Sequence, residues 1–285
     1  MKFHFTHSAL RLGDNLAHLH FLRKMAAANP NCRFVHFAHE RYLPQLEAMV
    51  YDQPRIALLP LLRPRHFPAT LKDSWWLRRP GEEWESVDAW KNAEGFFDQR
   101  RELARQSYGR FMLAWFHELA TRMGFAASPL RTFHDLLFDY PALEQKHPFG
   151  LDPRTALVIN SPAQSGQAPA GTEERMEGLI AYLARERPVI CTHPTKVPRV
   201  SCTHDHSLTV TQIGRISNVV PIIVAISTGP SWPTFNIWNR STVKLRLIIC
   251  SENVDLEPGT IMCGTAEEAL AELKSERSIR LREII

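Results

Sequence analysis

The sequence predicts an α/β protein built from two similar halves in tandem. Strand-type and helix-type hydrophobic periods alternate along the chain, and the alternation begins afresh after a proline-rich break. The length of 285 residues gives each half a core of its own, since domains commonly run to about 100–150 residues. We place the halves at 1–150 and 151–285.

In the first half, Lys2–Thr6 alternates as a strand and Ser8–Gly13 turns the chain. From Asp14 to Ala28, Leu16, Leu19, Leu22, Met25 and Ala26 recur at helical spacing, and Asn29-Pro30-Asn31 ends the helix. Arg33–Ala38 is a second strand. Glu40–Val50 is a second helix, with Pro44 tolerable only near its first turn. Arg55–Leu59 is a third strand. This order is that of an open, Rossmann-like parallel sheet with covering helices.

The pattern then breaks. Residues 60–92 are expected to be irregular, with Pro60, Pro64, Pro68 and Pro80, Pro54 just before them, and Trp75, Trp76, Trp84 and Trp90. Helices follow at about 91–106 and 107–123, the second ending at Gly124. Residues 126–153, with Pro129, Pro141, Pro148 and Pro153, read as the inter-domain linker. The second half repeats the alternation. Strands are expected at Thr155–Asn160, Pro188–Thr192, Pro221–Ile226 and Val243–Cys250. Helices are expected at 172–185 and 207–217, and a last one opens on the capping-box pattern Thr265-Ala266-Glu267-Glu268.

Bulk properties narrow the function classes. Apolar residues make up 44% and charged residues 22%, a globular balance that argues against disorder. No apolar run reaches the roughly 20 residues of a bilayer span, and the opening MKFHFTHSALRLGDN does not read as a secretory signal. Five scattered cysteines read as reduced thiols of a cytoplasmic protein. A net charge of +4 suits a solvated surface, an anionic ligand or an anionic membrane face at which the protein sits peripherally. It does not suit duplex nucleic acid, and no zinc finger, basic arm or RNA-binding aromatic motif is present.

In open α/β sheets ligands lie outside the carboxyl ends of the strands, so the post-strand loops come first. Ser8–Asn15 joins the first strand to the first helix. Asp14 at the helix start fits two roles: an N-cap for free amides, or a general base taking a proton from a sugar hydroxyl. Gly13 and Asn15 flank it. Neither GxGxxG nor GxxxxGK[ST] occurs here, so neither a nicotinamide dinucleotide site nor an ATP-hydrolysing P-loop is supported. The second candidate, Ser227-Thr228-Gly229-Pro230-Ser231-Trp232-Pro233-Thr234, follows the apolar strand PIIVAI and is expected to open a helix. Free amides and hydroxyls there suit a diphosphate; the alternative is a capped turn around a buried Trp232.

Cys191-Thr-His193 recurs as Cys202-Thr-His204, with Asp205 and His206 beside it. These are zinc-ligand types, but the spacing matches no common zinc motif. We expect no metal and no cofactor, and read this segment as lining a ligand cleft. The tryptophans at 75–90 fit either sugar stacking or anchoring to the core.

GDN near the start, TALVINSP opening the second half, SLTVTQIGRIS on a helix and STGPSWPTFN after an apolar strand resemble the bacterial ADP-heptose lipopolysaccharide heptosyltransferases and related enzymes. The resemblance implies a GT-B type fold, two Rossmann-like domains facing across a cleft, and inverting, metal-independent transfer from a nucleotide-sugar donor to a glycan or glycolipid acceptor. It implies Asp14 as catalytic base. Donor contacts would come from Ser161, Lys196, His204, Asp205, Ser227, Thr228, Gly229, Pro230 and Ser231, with Arg199 beside Lys196. The acceptor side would include Gly13, Asn15, Trp75 and Trp76. Three departures stand out. Ser227 replaces an acidic residue and Trp232 a histidine. The loop after TALVIN lacks the family's lysine and offers Ser161, Ser165 and Gln167. A nucleotide-sugar epimerase on the same fold, or a catalytically silent nucleotide-sugar-binding protein, are the other readings.

Overall fold

The structure, a computed structural model, describes residues 1–8, 11–61, 76–78, 85–88, 96, 99–144, 151–162, 171–251 and 254–275. The chain divides into two compact units, Met1–Leu136 and Leu137–Ile285. No helix among the described residues is long and apolar enough to cross a membrane.

In the first unit β1 (Lys2–Ser8), α1 (Leu12–Ala28), β2 (Cys32–Ala38), α2 (Leu43–Val50) and β3 (Ile56–Pro60) follow the expected order. The helix expected from Glu40 begins as a 3-10 turn, Glu40–Tyr42, and becomes α-helical only at Leu43. Pro44 sits in that first α-helical turn, where its missing N–H costs least. The stretch expected to be irregular contributes two strands, β4 (Trp76–Arg78) and β5 (Glu85–Asp88). Neither contains proline, so nothing bars ladder pairing. The sheet order is β3-β2-β1-β5-β4. It is parallel except for β4, which runs antiparallel to β5. Trp75, Trp84 and Trp90 lie outside the described residues.

The apolar stripe of α1 enters the core as its spacing requires: Leu16, Leu19, Leu22 and Met25 are fully buried. After α3 (Arg101–Gln106), α4 (Tyr108–Arg122) buries Phe111, Trp115 and Leu119. Its Phe116 ring stacks on Phe21 of α1 at 5.2 Å and 8°.

The segment expected as a linker holds α5 (Phe133–Leu136) and α6 (Pro141–Glu144). Residues 137–144 pack within the second unit. Arg215 Nε–H donates to the Ala142 carbonyl (2.6 Å) and Asn218 Nδ2–H to the Leu143 carbonyl (2.5 Å).

The second unit contains β6 (Ala156–Ile159), α7 (Thr172–Glu186), β7 (Val189–Cys191), β8 (Ser201–Cys202), α8 (Val210–Ser217), β9 (Ile222–Ile226), β10 (Leu245–Ile249), β11 (Thr260–Cys263) and α9 (Ala266–Lys274). β8 and β11 escaped the sequence reading because they are short and carry little apolar alternation. The sheet is parallel in the order β11-β10-β9-β6-β7-β8. β6, β9 and β10 are buried along their whole length, as parallel strands covered on both faces must be. One face packs Val158, Val224 and Leu247 against Met176, Ile180 and Leu183 of α7 and Leu273 of α9. Each such side chain contributes about 1.5–3 kcal/mol by leaving water.

Close approach is tightest at Gly214 on α8. A Cβ there would lie 2.6 Å from Leu143 Cδ2 and 2.9 Å from Pro233 Cβ. Gly214→Ala is therefore expected to destabilise the second unit by about 1–3 kcal/mol through overpacking. Urea unfolding checks this, and an unchanged midpoint would mean that α6 and the Pro233 turn yield freely.

Candidate active site

Both sheets reverse their strand order beside their first strand. In the second unit the chain-order sequence across the sheet is 3-2-1-4-5-6, with the reversal between β6 and β9. In the first unit it falls between β1 and β5. At a reversal the two following loops diverge to opposite faces and leave a crevice at the carboxyl ends, the place where open α/β sheets hold ligands. The loop after β1 carries Asp14. The loops after β6 and β9 carry Ser161 and Ser227–Ser231.

In the first unit α1 begins at Leu12, two residues before the expected start, with Arg11 as its N-cap. Asp14 is thus the third helical residue, not the N-cap. Its Oδ2 accepts from the Arg11 backbone N–H at 3.1 Å, the reaching-back half of a capping box. Gly13 lies inside the first helical turn and is buried with Asn15, while Asp14 is partly exposed. Burial pushes the Asp14 carboxyl up to about 6, and the Arg11 amide and charge pull against it. Such a carboxyl is ionised at neutral pH yet more basic than an ordinary carboxylate, a combination that favours general-base chemistry. Ala9 and Leu10 of this loop lie outside the described residues.

In the second unit Asn160 joins the loops after β6 and β7. Its Oδ1 accepts from the Thr192 and His193 N–H groups (3.1 and 2.8 Å) and its Nδ2 donates to the His193 carbonyl (3.0 Å). The Ser161 hydroxyl meets the Thr192 hydroxyl at 2.8 Å. Sequence reading missed Asn160, because Asn-Ser-Pro after a strand reads only as a turn. Ile159 pairs with Ala225, so the Ser161 and Ser227 loops start from adjacent strand ends before they part. Ser165 and Gln167 lie outside the described residues.

The loop after β9 differs from expectation. Gly229–Thr234 is a short 3-10 turn, because Pro233, past the first turn, supplies no N–H to an α-helix. Ser231 N–H donates to the Thr228 carbonyl at 2.9 Å. The Ser231 hydroxyl accepts from Thr228 N–H (3.2 Å) and donates to the same carbonyl (2.7 Å). The Thr228 and Ser231 amides are thus engaged within the loop, which leaves the Gly229 amide and the Thr228 hydroxyl. That hydroxyl is buried without a hydrogen-bond partner. Ser227 is buried and its N–H bonds the Ile249 carbonyl at 3.1 Å. Trp232 is only partly buried, stacked on Phe138 at 6.4 Å.

Arg246, a lone charge inside the apolar strand β10, anchors this turn from below. It donates to the Thr234 hydroxyl (3.0 Å) and carbonyl (2.9 Å), pairs with Glu257 (2.9 Å) and lies 4.6 Å over the Phe235 ring. Its single charge in Leu-Arg-Leu-Ile-Ile was the available signal.

The remaining candidates are peripheral. Lys196, Arg199, His204 and Asp205 are exposed. The Lys196 loop is tied to α7 where its N–H and the Thr195 hydroxyl reach the Glu177 carboxylate (3.2 and 2.7 Å). His204 meets His193 edge-on at 5.8 Å. Cys191 and Cys202 are register partners on β7 and β8, both buried. Burial pushes the Cys191 thiol up to about 12. Among the described residues no three His, Cys, Asp or Glu side chains converge to hold a metal ion.

No family model matches the chain, and no curated protein matches it in sequence. Solved structures are similar in fold. The E. coli heptosyltransferase WaaC with ADP is 12% identical over 96% of this chain and 97% of its own, with a TM-score of 0.51. The E. coli ADP-heptose lps heptosyltransferase II is 11% identical over 100% of both chains, with a TM-score of 0.47. A glycosyl transferase family 9 protein from Veillonella parvula is 10% identical over 92% of this chain and 86% of its own, with a TM-score of 0.46. The first of these shows a shared α/β fold with parallel sheets.

The Asp14 carboxyl holds its proton more tightly when folded, so its stabilising contribution is complete below the unfolded value near 3.8 and is lost as pH rises through about 6. Asp14→Asn is therefore expected to be more stable than the parent at pH 8, by about 1–2 kcal/mol after discounting for partial exposure, and equal to it at pH 3. Thermal unfolding across that range tests this. A pH-independent difference would contradict the strained-carboxylate account.

Proposed function

We propose that the protein is a glycosyltransferase of the GT-B type. The second unit binds a nucleotide-sugar donor and the first unit supplies the base. The observation that carries this reading is the Asp14 carboxyl, pushed up to about 6 at the reversal point of the first sheet, in a chain whose fold is similar along nearly its whole length to a heptosyltransferase with ADP. The second reversal point gives the donor its place. Ser161, the Gly229 amide and the buried Thr228 hydroxyl present donors there, suited to a diphosphate.

In the proposed reaction Asp14 removes the proton from an acceptor hydroxyl as that oxygen attacks the anomeric carbon. The carbon–oxygen bond to the diphosphate breaks through an oxocarbenium-like state, and the configuration inverts. The Gly229 and Thr228 donors stabilise the charge that builds on the departing diphosphate, with Lys196 and Arg199 as nearby cations, and no metal is required for that role. His204 and Asp205 are the proposed contacts to the ribose or base, and Asn15, Gly13 and Trp76 belong to the acceptor side. A glycan or glycolipid acceptor at the inner face of a membrane fits the modest basic charge. Ser227, in place of an acidic residue, points to a donor sugar other than the family's.

Thermal shift against ADP-, UDP- and GDP-sugars is the first test. One donor class is expected to raise the melting temperature, and no response from any would remove the transferase reading. With that donor, turnover is expected to rise with pH around a midpoint near 6. Asp14→Asn is expected to lower turnover by roughly 10²–10⁴-fold while donor binding persists. Donor binding with no turnover by the parent protein on any acceptor would identify a silent binding protein.

A further inference from the structure

Beneath the start of α1 lies a set of buried polar groups of which the proposed reaction invokes only Asn15. Thr6 on β1, Asn15 and His18 on α1 and His36 on β2 are all at most 2% exposed. The Thr6 hydroxyl lies 3.0 Å from His36 Nδ1 and 3.0 Å from His18 Nε2. His36 Nε2 lies 2.9 Å from Asn15 Oδ1. Asn15 Nδ2 lies 2.8 Å from the Arg11 carbonyl. Three different elements thus meet on one hydroxyl.

In the neutral form of this set the donor directions follow from chemistry. A carbonyl only accepts, so Asn15 turns its NH₂ to Arg11 and its oxygen to His36. That oxygen only accepts, so His36 carries its proton on Nε2. With both imidazoles neutral, His36 Nδ1 then accepts, and the Thr6 hydroxyl must donate to it. The Thr6 oxygen in turn accepts from His18 Nε2–H. This leaves His18 Nδ1 as a bare lone pair, and that atom is the one found buried without a partner. Burial, with His36 and His7 nearby, holds His18 well below the usual imidazole range, which keeps it neutral.

Every link therefore points the same way. His18 donates to Thr6, Thr6 to His36, His36 to Asn15 and Asn15 to the Arg11 carbonyl. The chain ends on that carbonyl; the N–H of the same residue, in the preceding peptide, donates to Asp14. Aligned bonds of this kind polarise one another in a low-dielectric interior. We infer that Thr6, His36 and Asn15 are positioning residues: a one-directional hydrogen-bond chain that ends on the Arg11 carbonyl and holds that residue in place, so that its N–H, one peptide earlier, stays on the Asp14 carboxylate. The inference rests on the proposed role of Asp14 as base. It goes further by assigning a function to Thr6 and His36, which touch neither donor nor acceptor, and a supporting one to Asn15.

The test reads Asp14 directly, by the ¹³C carboxyl titration of labelled aspartate, with Asp14→Asn assigning the resonance. Thr6→Val keeps the shape but removes the hydroxyl that both histidines share. Losing a hydrogen bond to the charged form raises a carboxyl's pKa, so the Asp14 midpoint is expected to move up by about 0.5–1 in pH. Turnover at pH 7 is expected to fall about tenfold with donor KM little changed, as loss of orientation predicts. Thr6→Ser retains the hydroxyl and is expected to restore both. The Arg11 guanidinium, the other group acting on Asp14, is the same in every variant. Asn15→Ala cuts the chain at its far end and replaces Thr6→Val should that variant fail to fold. A folded variant whose Asp14 midpoint stays at the parent value overturns the inference. Because the titration needs no turnover, it decides the inference even if the transferase reading fails.

Discussion

A parallel strand buried on both faces has nowhere to place chemistry except at its ends. β6, β9 and β10 are closed to water along their length, and β1 is flanked by β2 and β5. Polar groups that must meet a ligand are therefore confined to the residues just past the carboxyl ends. There the pairing of β6 with β9 sets the strand ends that lead into the Ser161 and Thr228 loops beside each other, on the two sides of the reversal. Asp14 occupies the matching position after β1. The locations of these candidates follow from one constraint, the burial of the sheet.

That constraint explains why much of the fold could be read from the sequence. Runs such as Ala156–Ile159 and Ile222–Ile226 are unbroken apolar segments bounded by turn residues, and they are central strands for that reason. The α1 stripe at Leu16, Leu19 and Leu22 is equally direct. The failures have equally physical causes. β8 is two residues long, too short for any period to show. β4 and β5 lie among prolines and tryptophans whose local signal is irregular, and only the pairing of β5 with β1 and of β4 with β5 makes them strands. Asp14 was placed at the helix boundary, but the helix begins two residues earlier because the Arg11 carbonyl already accepts from Asn15 N–H at 3.2 Å.

The candidate site was legible as a set of loops and not as a set of bonds. Ser, Thr and Gly after β9 announced hydrogen-bonding capacity, but sequence does not say which donors the loop uses on itself. Thr228 and Ser231 close on one another, and Pro233 keeps the turn from becoming an α-helix. The loop's free capacity is narrower than its composition. Arg246 and Asn160 show the converse. Each is a polar residue at a position where an apolar run predicts none, and each is buried to hold a loop in place.

Asp14 shows how such support sets chemistry. Burial alone would raise its carboxyl further and so favour the protonated form, which cannot act as a base. The Arg11 amide and charge oppose that rise, and the balance falls at about 6. The amide can exert this pull only if Arg11 is held in place, and Asn15 grips it through its carbonyl. At a helix start the peptide has no partner turn behind it to hold it. Asn15 supplies the missing hold from below, and its own orientation is dictated by His36. The basicity of an exposed edge of this residue is thus set by groups that water never reaches, which explains why polar side chains are retained in the core directly beneath it.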